Sequence, residues 1–471
     1  MNGPVRDTGS FRDPSGYVFT EGDRVLRAVM PAGAACFLAA HDTGVLHALE
    51  AKGLLISSKK IDADDAMLAR CTGARGDAAV ALFEHPRIPF LTYPYEWCFA
   101  QLKDAAIAHL NLQLLALEHG YELSDATAYN MQFVDGRPIH IDPMSVRPYV
   151  EGAHWAGYNQ FCRQFLLPLL IEAWAGLSFQ ALYRGSINGI SFDDALAILP
   201  RRKLFSSVSG FMHVYLHGRA VAARSSASKL DKAPVKKLPK TQYVAILAQL
   251  KDFVGTLETR KRLASYWKTY AEINSYSDQM RERKLAFVQD WASQEKPSLI
   301  WDIGGNTGDF SLAAIKGGAS AAVILDGDID SIERAYRLRA KKGAPLLPVL
   351  MNISDPTPNL GWRQSERKGL NERAPADGLI ALAIIHHMCI GTNLPLAEAI
   401  RWLLQLAPVG IVEFVPKDDP MVRQLLAVRE DVFDDYREDV FLATIAETHE
   451  ITKQHRFAEN NRLLVSYRRR Q

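Results

Sequence analysis

The chain is poor in cysteine and lacks any marked excess of one charge. Five cysteines, Cys36, Cys71, Cys98, Cys162 and Cys389, are scattered through 471 residues. The count is odd and no two form a C-x-x-C pair. This excludes a zinc ribbon and a secreted disulfide framework, and it points to reduced thiols in a cytoplasmic protein. Lysine plus arginine number 55 against 53 aspartates plus glutamates, a formal net charge of +2. A nucleic-acid binder usually carries a strong basic excess, so no nucleic-acid partner is expected. Long apolar runs are missing too: no window reaches the ~18 uncharged apolar residues of a membrane helix. The opening MNGPVRDTGSFRDPSG has no apolar stretch of the secretory kind. The expectation is a cytoplasmic location with no membrane partner. Nothing in the composition speaks to oligomeric state.

What is present is enough apolar material for full cores, 48% hydrophobic against 23% charged residues. At ~150 residues per domain, the length suggests two or three domains. Residues 223–240, ARSSASKLDKAPVKKLPK, hold three serines, two prolines and six basic residues without an apolar period, and read as a linker. The first half, 1–222, mixes strands and helices. GYVFTEGDRVLRAVM alternates like a strand pair, 33–53 reads as helical, and a long amphipathic helix near 97–119 closes at Gly120. MQFV and RPIHID flank Asp135-Gly136 as a hairpin. Helices dominate from 155 to about 222. Residues 241–297 read as a helical lid or cap. From 298 to 471 short, nearly continuous apolar runs (SLIWDIG, AAVILDGD, GLIALAII, VGIVEFV) alternate with helical segments, the pattern of a parallel sheet covered on both faces. HEITKQHRF and RLLVSYRRR read as a closing antiparallel pair. The fold class is α/β: a doubly wound, mostly parallel sheet in the C-terminal half, with an α+β N-terminal domain.

The segment Asp302-Ile303-Gly304-Gly305-Asn306-Thr307-Gly308 follows a strand and opens a helix. Glycines there permit a tight turn and close ligand approach. The spacing is not the dinucleotide fingerprint, and the acid before the first glycine suits a ligand bearing a cationic amino acid. Asp328, with Asp326 as fallback, ends the next strand 26 residues after Asp302, near the ~20 expected of a ribose-binding acid. A third strand leads to Met351–Pro356, where Asp355 is a candidate for the adenine rim. These residues resemble the core of a class I S-adenosylmethionine-dependent methyltransferase over 298–471. Asp302, Gly304 and Gly308 match that family's acid-x-Gly-x-Gly-x-Gly loop. Asn306 replaces the middle glycine, and asparagine is the side chain that best tolerates left-handed backbone. The resemblance implies a seven-stranded sheet with a reversed last strand, S-adenosylmethionine as cofactor, and Asp328 on the ribose.

Chemistry at such a site needs mainly alignment, because the sulfonium is already activated. His386 and His387 follow the fourth strand, where either is a candidate base. If they continue that strand, only one faces the substrate and a metal pair is excluded. Glu413 lies inside an apolar run and needs a partner there; a base and a structural acceptor are both open. Tyr276 and Lys284 precede the core and are lid candidates.

The first half carries a second signature. Asp125 and Asn130 have the spacing of a kinase catalytic loop, and Asp142 follows a short hairpin. Residues 11–222 resemble the protein-kinase and aminoglycoside-phosphotransferase fold. The resemblance implies ATP with Mg2+ held by Asn130 and Asp142, and Asp125 on an acceptor hydroxyl. His-Arg before Asp125 is replaced by Leu-Ser, Pro143-Met144 stands for Phe-Gly, no Gly-rich loop occurs near 15–25, and Lys59 and Lys60 are the candidates for a phosphate-binding lysine. LTYPYEW reads as strand-like at the hinge. Three functions follow: a methyltransferase acting on an oxygen or nitrogen of a small-molecule or sugar-containing metabolite in a biosynthetic route, with the kinase-like domain recognising substrate; a bifunctional kinase–methyltransferase; or a non-enzymatic scaffold.

Overall fold

The computed structural model describes residues 3–226, 237–259, 278–373 and 375–470. The chain divides into two compact units. The first is Met1–Arg262 with Gly361–Arg367, and the second is Leu263–Leu360 with Lys368–Gln471.

The first unit opens with an antiparallel sheet. Its strands are β1 (Val5–Arg6), β2 (Gly16–Glu21), β3 (Arg24–Val29), β4 (Lys59–Ile61) and β5 (Ala81–His85), in the order β1-β2-β3-β5-β4. Alternation decides its faces. Tyr17, Phe19, Leu26, Ala28 and Leu82 pack on one side. Val29 and Phe83 on the other face Phe37, Leu46 and Leu49 of the helices Pro31–Asp42 and Val45–Ala51. The helix Phe99–Glu118 follows, and the chain leaves it through Gly120 at φ 80°. Leu112 and Ala116 from this helix join the same core. Next come β6 (Tyr121–Leu123), which pairs with β9 (Val146–Pro148), and the hairpin of β7 (Met131–Val134) and β8 (Arg137–His140). Asp135 and Gly136 have φ of 49° and 71°, the two positive values that a two-residue hairpin turn requires.

Two expectations change here. LTYPYEW is not a strand: Pro94–Glu96 form a 3-10 turn, and the Glu96 carboxylate accepts the Tyr93 N–H at 3.0 Å. Proline has no N–H to give to a ladder. The expected linker at 223–240 does not divide the chain. Residues 227–236 lie outside the described residues, but the helix His217–Ser226 precedes them and the helix Lys240–Thr256 follows within the same unit. Gln113 Nε2 donates to Tyr243 Oη at 2.8 Å, which ties that second helix to Phe99–Glu118. The part of the expected cap at 241–262 therefore belongs to the first unit.

Among its described residues the second unit has seven strands: β10 (Leu299–Ile303), β11 (Ala321–Asp326), β12 (Leu346–Leu350), β13 (Gly378–Ala381), β14 (Val409–Phe414), β15 (His449–Arg456) and β16 (Leu463–Arg469). Their order is β12-β11-β10-β13-β14-β16-β15. The first five are parallel, β16 runs antiparallel to β14, and β15 antiparallel to β16. The reversed strand expected from the family resemblance is present. The apolar runs are buried on both faces, as parallel strands between helices must be. From β10 the chain winds outward to β12, then returns to β13 on the other side of β10. That reversal opens a crevice at the carboxyl ends of β10 and β13.

Candidate cofactor and phosphotransfer sites

At the carboxyl end of β10 the chain turns through Gly304, Asn306 and Gly308, with φ of 68°, 49° and 81°. Asn306 occupies the left-handed region, which asparagine tolerates better than other side chains. A Cβ at Gly305 would lie 2.6 Å from Asp302 Cγ, and one at Gly308 2.5 Å from Ile324 Cδ1. The loop thus needs glycine at both places. Asp302 is buried beneath it and accepts the Ser311 hydroxyl at 2.6 Å. Burial pushes its carboxyl up to about 7, with the Ser311 hydrogen bond opposing and Asp326 adding to the rise. Asp326, the last residue of β11, accepts the Asn306 N–H at 2.8 Å and the Asp328 N–H at 2.7 Å. Burial raises it to about 6. Asp328 caps the helix Ile329–Leu338, taking the Ser331 hydroxyl at 2.6 Å. Asp355 sits exposed in a turn after β12, its N–H donated to Asn352 O at 3.0 Å. The fold therefore gathers Asp302, Gly304, Asn306, Gly308, Asp326 and Asp328 along one sheet edge. Gly305 and Gly308 are required by the side chains of Asp302 and Ile324 packed beneath the loop, and the three acids at this edge have the chemistry for a ligand with a cationic amino-acid group and ribose hydroxyls.

His386 and His387 are not on a strand. β13 ends at Ala381, Ala383 turns at φ 50°, and His387–Gly391 form a short helical turn. Strand alternation does not apply to them. Their rings lie 4.2 Å apart. His386 is fully buried with both ring nitrogens unpartnered, while His387 is partly exposed. Burial holds both neutral, His387 at about 4. Glu413 has the partners its burial demands. Lys284 Nζ lies 2.5 Å from its Oε1, and the Ala383 N–H donates to its Oε2 at 2.9 Å. Arg462, 3.7 Å from Glu413, also pairs with Asp419 at 2.7 Å. Lys284 is buried within the unit rather than exposed over the crevice, and burial lowers its ammonium to about 8. Tyr276 lies outside the described residues. Arg462 and Asp419 were not legible as site residues, because each is an ordinary charge in its local sequence.

In the first unit, Asp125 and Asn130 come together, Asn130 Nδ2 lying 3.4 Å from Asp125 Oδ2. Gln160 and Gln164 pin the loop by accepting the N–H groups of Ala126 and Ala128, each at 2.8 Å. The other carboxylate oxygen of Asp125 is buried and unpartnered. Burial, then the charges of Asp142 and Asp13, push this acid up to about 7. Asp142 receives Arg27 Nη1 at 3.1 Å, and Arg27 Nη2 donates to Ile141 O at 3.1 Å. Lys59 and Lys60 are exposed on β4. The cation beside Asp142 is Arg27, on β3, rather than a lysine; its signal in the sequence is a charge inside the alternating run Val25–Val29. Among the described residues, no group of three or more His, Cys, Asp or Glu side chains is placed to hold a metal ion, and no helix is long and apolar enough to cross a membrane.

The nodulation protein NoeA of Rhizobium meliloti (strain 1021) is 40% identical over 468 residues, which span 99% of this chain and 96% of that one. The chain belongs to the NoeA family. No protein-family model matches it. Among solved structures, the N-methyltransferase NodS from Bradyrhizobium japonicum WM9, in complex with S-adenosyl-L-homocysteine, is similar with a TM-score of 0.31 and 15% identity, over 44% of this chain and 95% of that one. The PH0226 protein from Pyrococcus horikoshii OT3 follows with a TM-score of 0.30 and 14% identity, over 43% and 99%. The N-terminal domain of EvdMO1 with S-adenosylhomocysteine bound has a TM-score of 0.28 and 12% identity, over 41% and 85%.

Proposed function

We propose that this member of the NoeA family is an S-adenosylmethionine-dependent methyltransferase of an oxygen or nitrogen nucleophile on a small-molecule or sugar-containing metabolite. The single observation that carries the reading is the edge at β10 and β11. There a loop left-handed at 304, 306 and 308 lies over buried Asp302, and Asp326 and Asp328 stand beside it. The cofactor would supply an activated methyl group. Gly304, Asn306 and Gly308 would let its amino-acid end approach the backbone, and Asp328 or Asp326 would accept from its ribose, with Asp355 near the adenine. His387 is the better-placed base, because it is neutral and partly exposed whereas His386 is enclosed. Glu413, held by Lys284, would fix the turn at Ala383 that carries both histidines. The relative's name places that protein in nodulation, and we extend the same role to this chain.

Calorimetric titration with S-adenosylhomocysteine tests the reading. Micromolar binding is expected in the parent and a loss of at least about tenfold in Asp328→Ala, the scale of one charge-assisted hydrogen bond. No heat and no thermal shift at millimolar ligand would sink it. A second reading, a bifunctional kinase–methyltransferase, is favoured by one observation: Asp125, Asn130, Asp142 and the cation Arg27 meet in the first unit. In it Asn130 and Asp142 would hold Mg2+ against ATP phosphates, and Asp125 would orient the acceptor hydroxyl. It requires ATP consumption that disappears in Asp125→Ala and Asp142→Ala. If ATP is neither bound nor consumed, the first unit is left with substrate recognition or a scaffold role.

A further inference from the structure

The segment Gly361–Arg367 follows β12 in the chain yet belongs to the first unit. Ser365 O accepts the Thr8 hydroxyl at 2.7 Å, and Glu366 takes Arg12 Nε and Nη2 at 2.5 and 2.9 Å. Gly361, Arg363 and Gln364 have φ of 84°, 56° and 55°. Two adjacent side-chain-bearing residues in left-handed backbone are uncommon.

The segment delivers Arg367 onto Tyr129, its guanidinium carbon 5.2 Å from the ring centroid. Arg367 is 8% exposed, and its Nε and Nη1 are buried with no hydrogen-bond partner. The Tyr95 hydroxyl is likewise buried and unpartnered. Tyr95 stacks on Tyr93 with ring centroids 5.6 Å apart, and Tyr93 lies 6.4 Å from Tyr129. Burial raises the Tyr95 and Tyr129 hydroxyls, and the Arg367 charge works against that rise, strongly at Tyr129 and as the smallest cause at Tyr95. The Arg367 charge helps to lower the Glu366 carboxyl, yet no described carboxylate hydrogen-bonds its Nε or Nη1. Glu366 is taken by Arg12 and by the Trp362 N–H at 2.9 Å, and Glu96 accepts the Tyr93 N–H at 3.0 Å.

A buried cation with idle N–H groups is unfavourable, and the arrangement lacks only an anionic acceptor. We infer that Arg367 and Tyr95 form an oxyanion-binding site in the first unit, which takes the phosphate or carboxylate group of a small molecule with Tyr129 against its body. Arginine has donors only and a phenol can donate, so an acceptor-only group satisfies both. The site rests on neither the methyltransferase nor the phosphotransfer reading. It uses none of the residues assigned to them.

The test is a calorimetric titration of the full chain with inorganic phosphate, pyrophosphate and citrate, repeated on Arg367→Met, Arg367→Lys and Tyr95→Phe. One phosphate or carboxylate probe is expected to bind the parent one-to-one. Arg367→Met should weaken it at least about tenfold, the loss of one charge-assisted bond, and Arg367→Lys should retain part of the affinity. Ligand-free Arg367→Met should melt no lower than the parent, because removing a buried charge whose Nε and Nη1 lack acceptors relieves its desolvation. The probe that binds tells phosphate from carboxylate. Absence of heat from all three probes at 10-fold above about 1 mM, a concentration at which even a weak site would show, overturns the proposal. So does binding that Arg367→Met and Arg367→Lys leave unchanged.

Discussion

At the scale of single residues, burial decides protonation. The Asp302 carboxyl, raised to about 7, keeps its proton in the folded chain where the unfolded chain releases it near its ordinary value of 3.8. That contribution to stability is complete below the unfolded value and is lost as pH rises toward the folded one. Asp302→Asn, which still offers an acceptor to Ser311, should therefore gain in melting temperature relative to the parent as pH climbs from about 4 to about 7, then hold a constant difference. Paired thermal melts across that range read the effect, and a flat difference refutes the shift. The Lys284–Glu413 pair makes a second prediction. Glu413→Gln leaves an uncompensated buried ammonium and should cost about 3–5 kcal/mol in urea unfolding. Lys284→Met combined with Glu413→Gln should recover most of that loss, because no unpaired ammonium remains and the amide oxygen still accepts the Ala383 N–H.

At the scale of elements, the glycine loop was the most legible part of the site. Its turn is encoded within seven residues, so Asn306 could be placed in left-handed backbone from the sequence, and it lies there at φ 49°. Asn306→Gly should keep S-adenosylhomocysteine affinity within about threefold, since glycine adopts the same backbone freely. Gly308→Ala places a Cβ 2.5 Å from Ile324 Cδ1 at a positive φ, and should weaken binding about tenfold or more. Titration of both variants beside the parent distinguishes a shaped loop from a tolerant one. The hairpin at Asp135-Gly136 was legible for the same local reason. The histidine pair was not. A strand continuing past Ala381 and a turn at Ala383 look alike in an apolar run, and what sets the turn is the bond from its N–H to Glu413, 30 residues away.

At the scale of the whole molecule, the two compact units should unfold in separable transitions, since each has its own core. S-adenosylhomocysteine should raise only one of them, by an amount that grows with the logarithm of its concentration. Scanning calorimetry with and without the ligand reads this; a single transition moved as a whole refutes it. A chain ended at residue 262 should melt lower than the first unit does in the intact protein, because it loses the Arg12–Glu366 pair and the cover over Tyr129.

The sequence by itself determined what local chemistry can specify. Apolar runs separated by helices announced the parallel sheet, turn residues placed the hairpins, and glycines with an acid before them marked the loop at the end of β10. Only the tertiary structure decided which distant charges meet. Arg27 with Asp142, Lys284 with Glu413 and Arg462 with Asp419 are separated by 115, 129 and 43 residues, and each could have paired with many other charges. The same holds for Gly361–Arg367, whose attachment to the first unit depends on partners some 350 residues earlier. Turns are chosen by the backbone freedom of a few neighbouring residues, whereas ion pairs are chosen by the fold that removes their alternatives and the water between them.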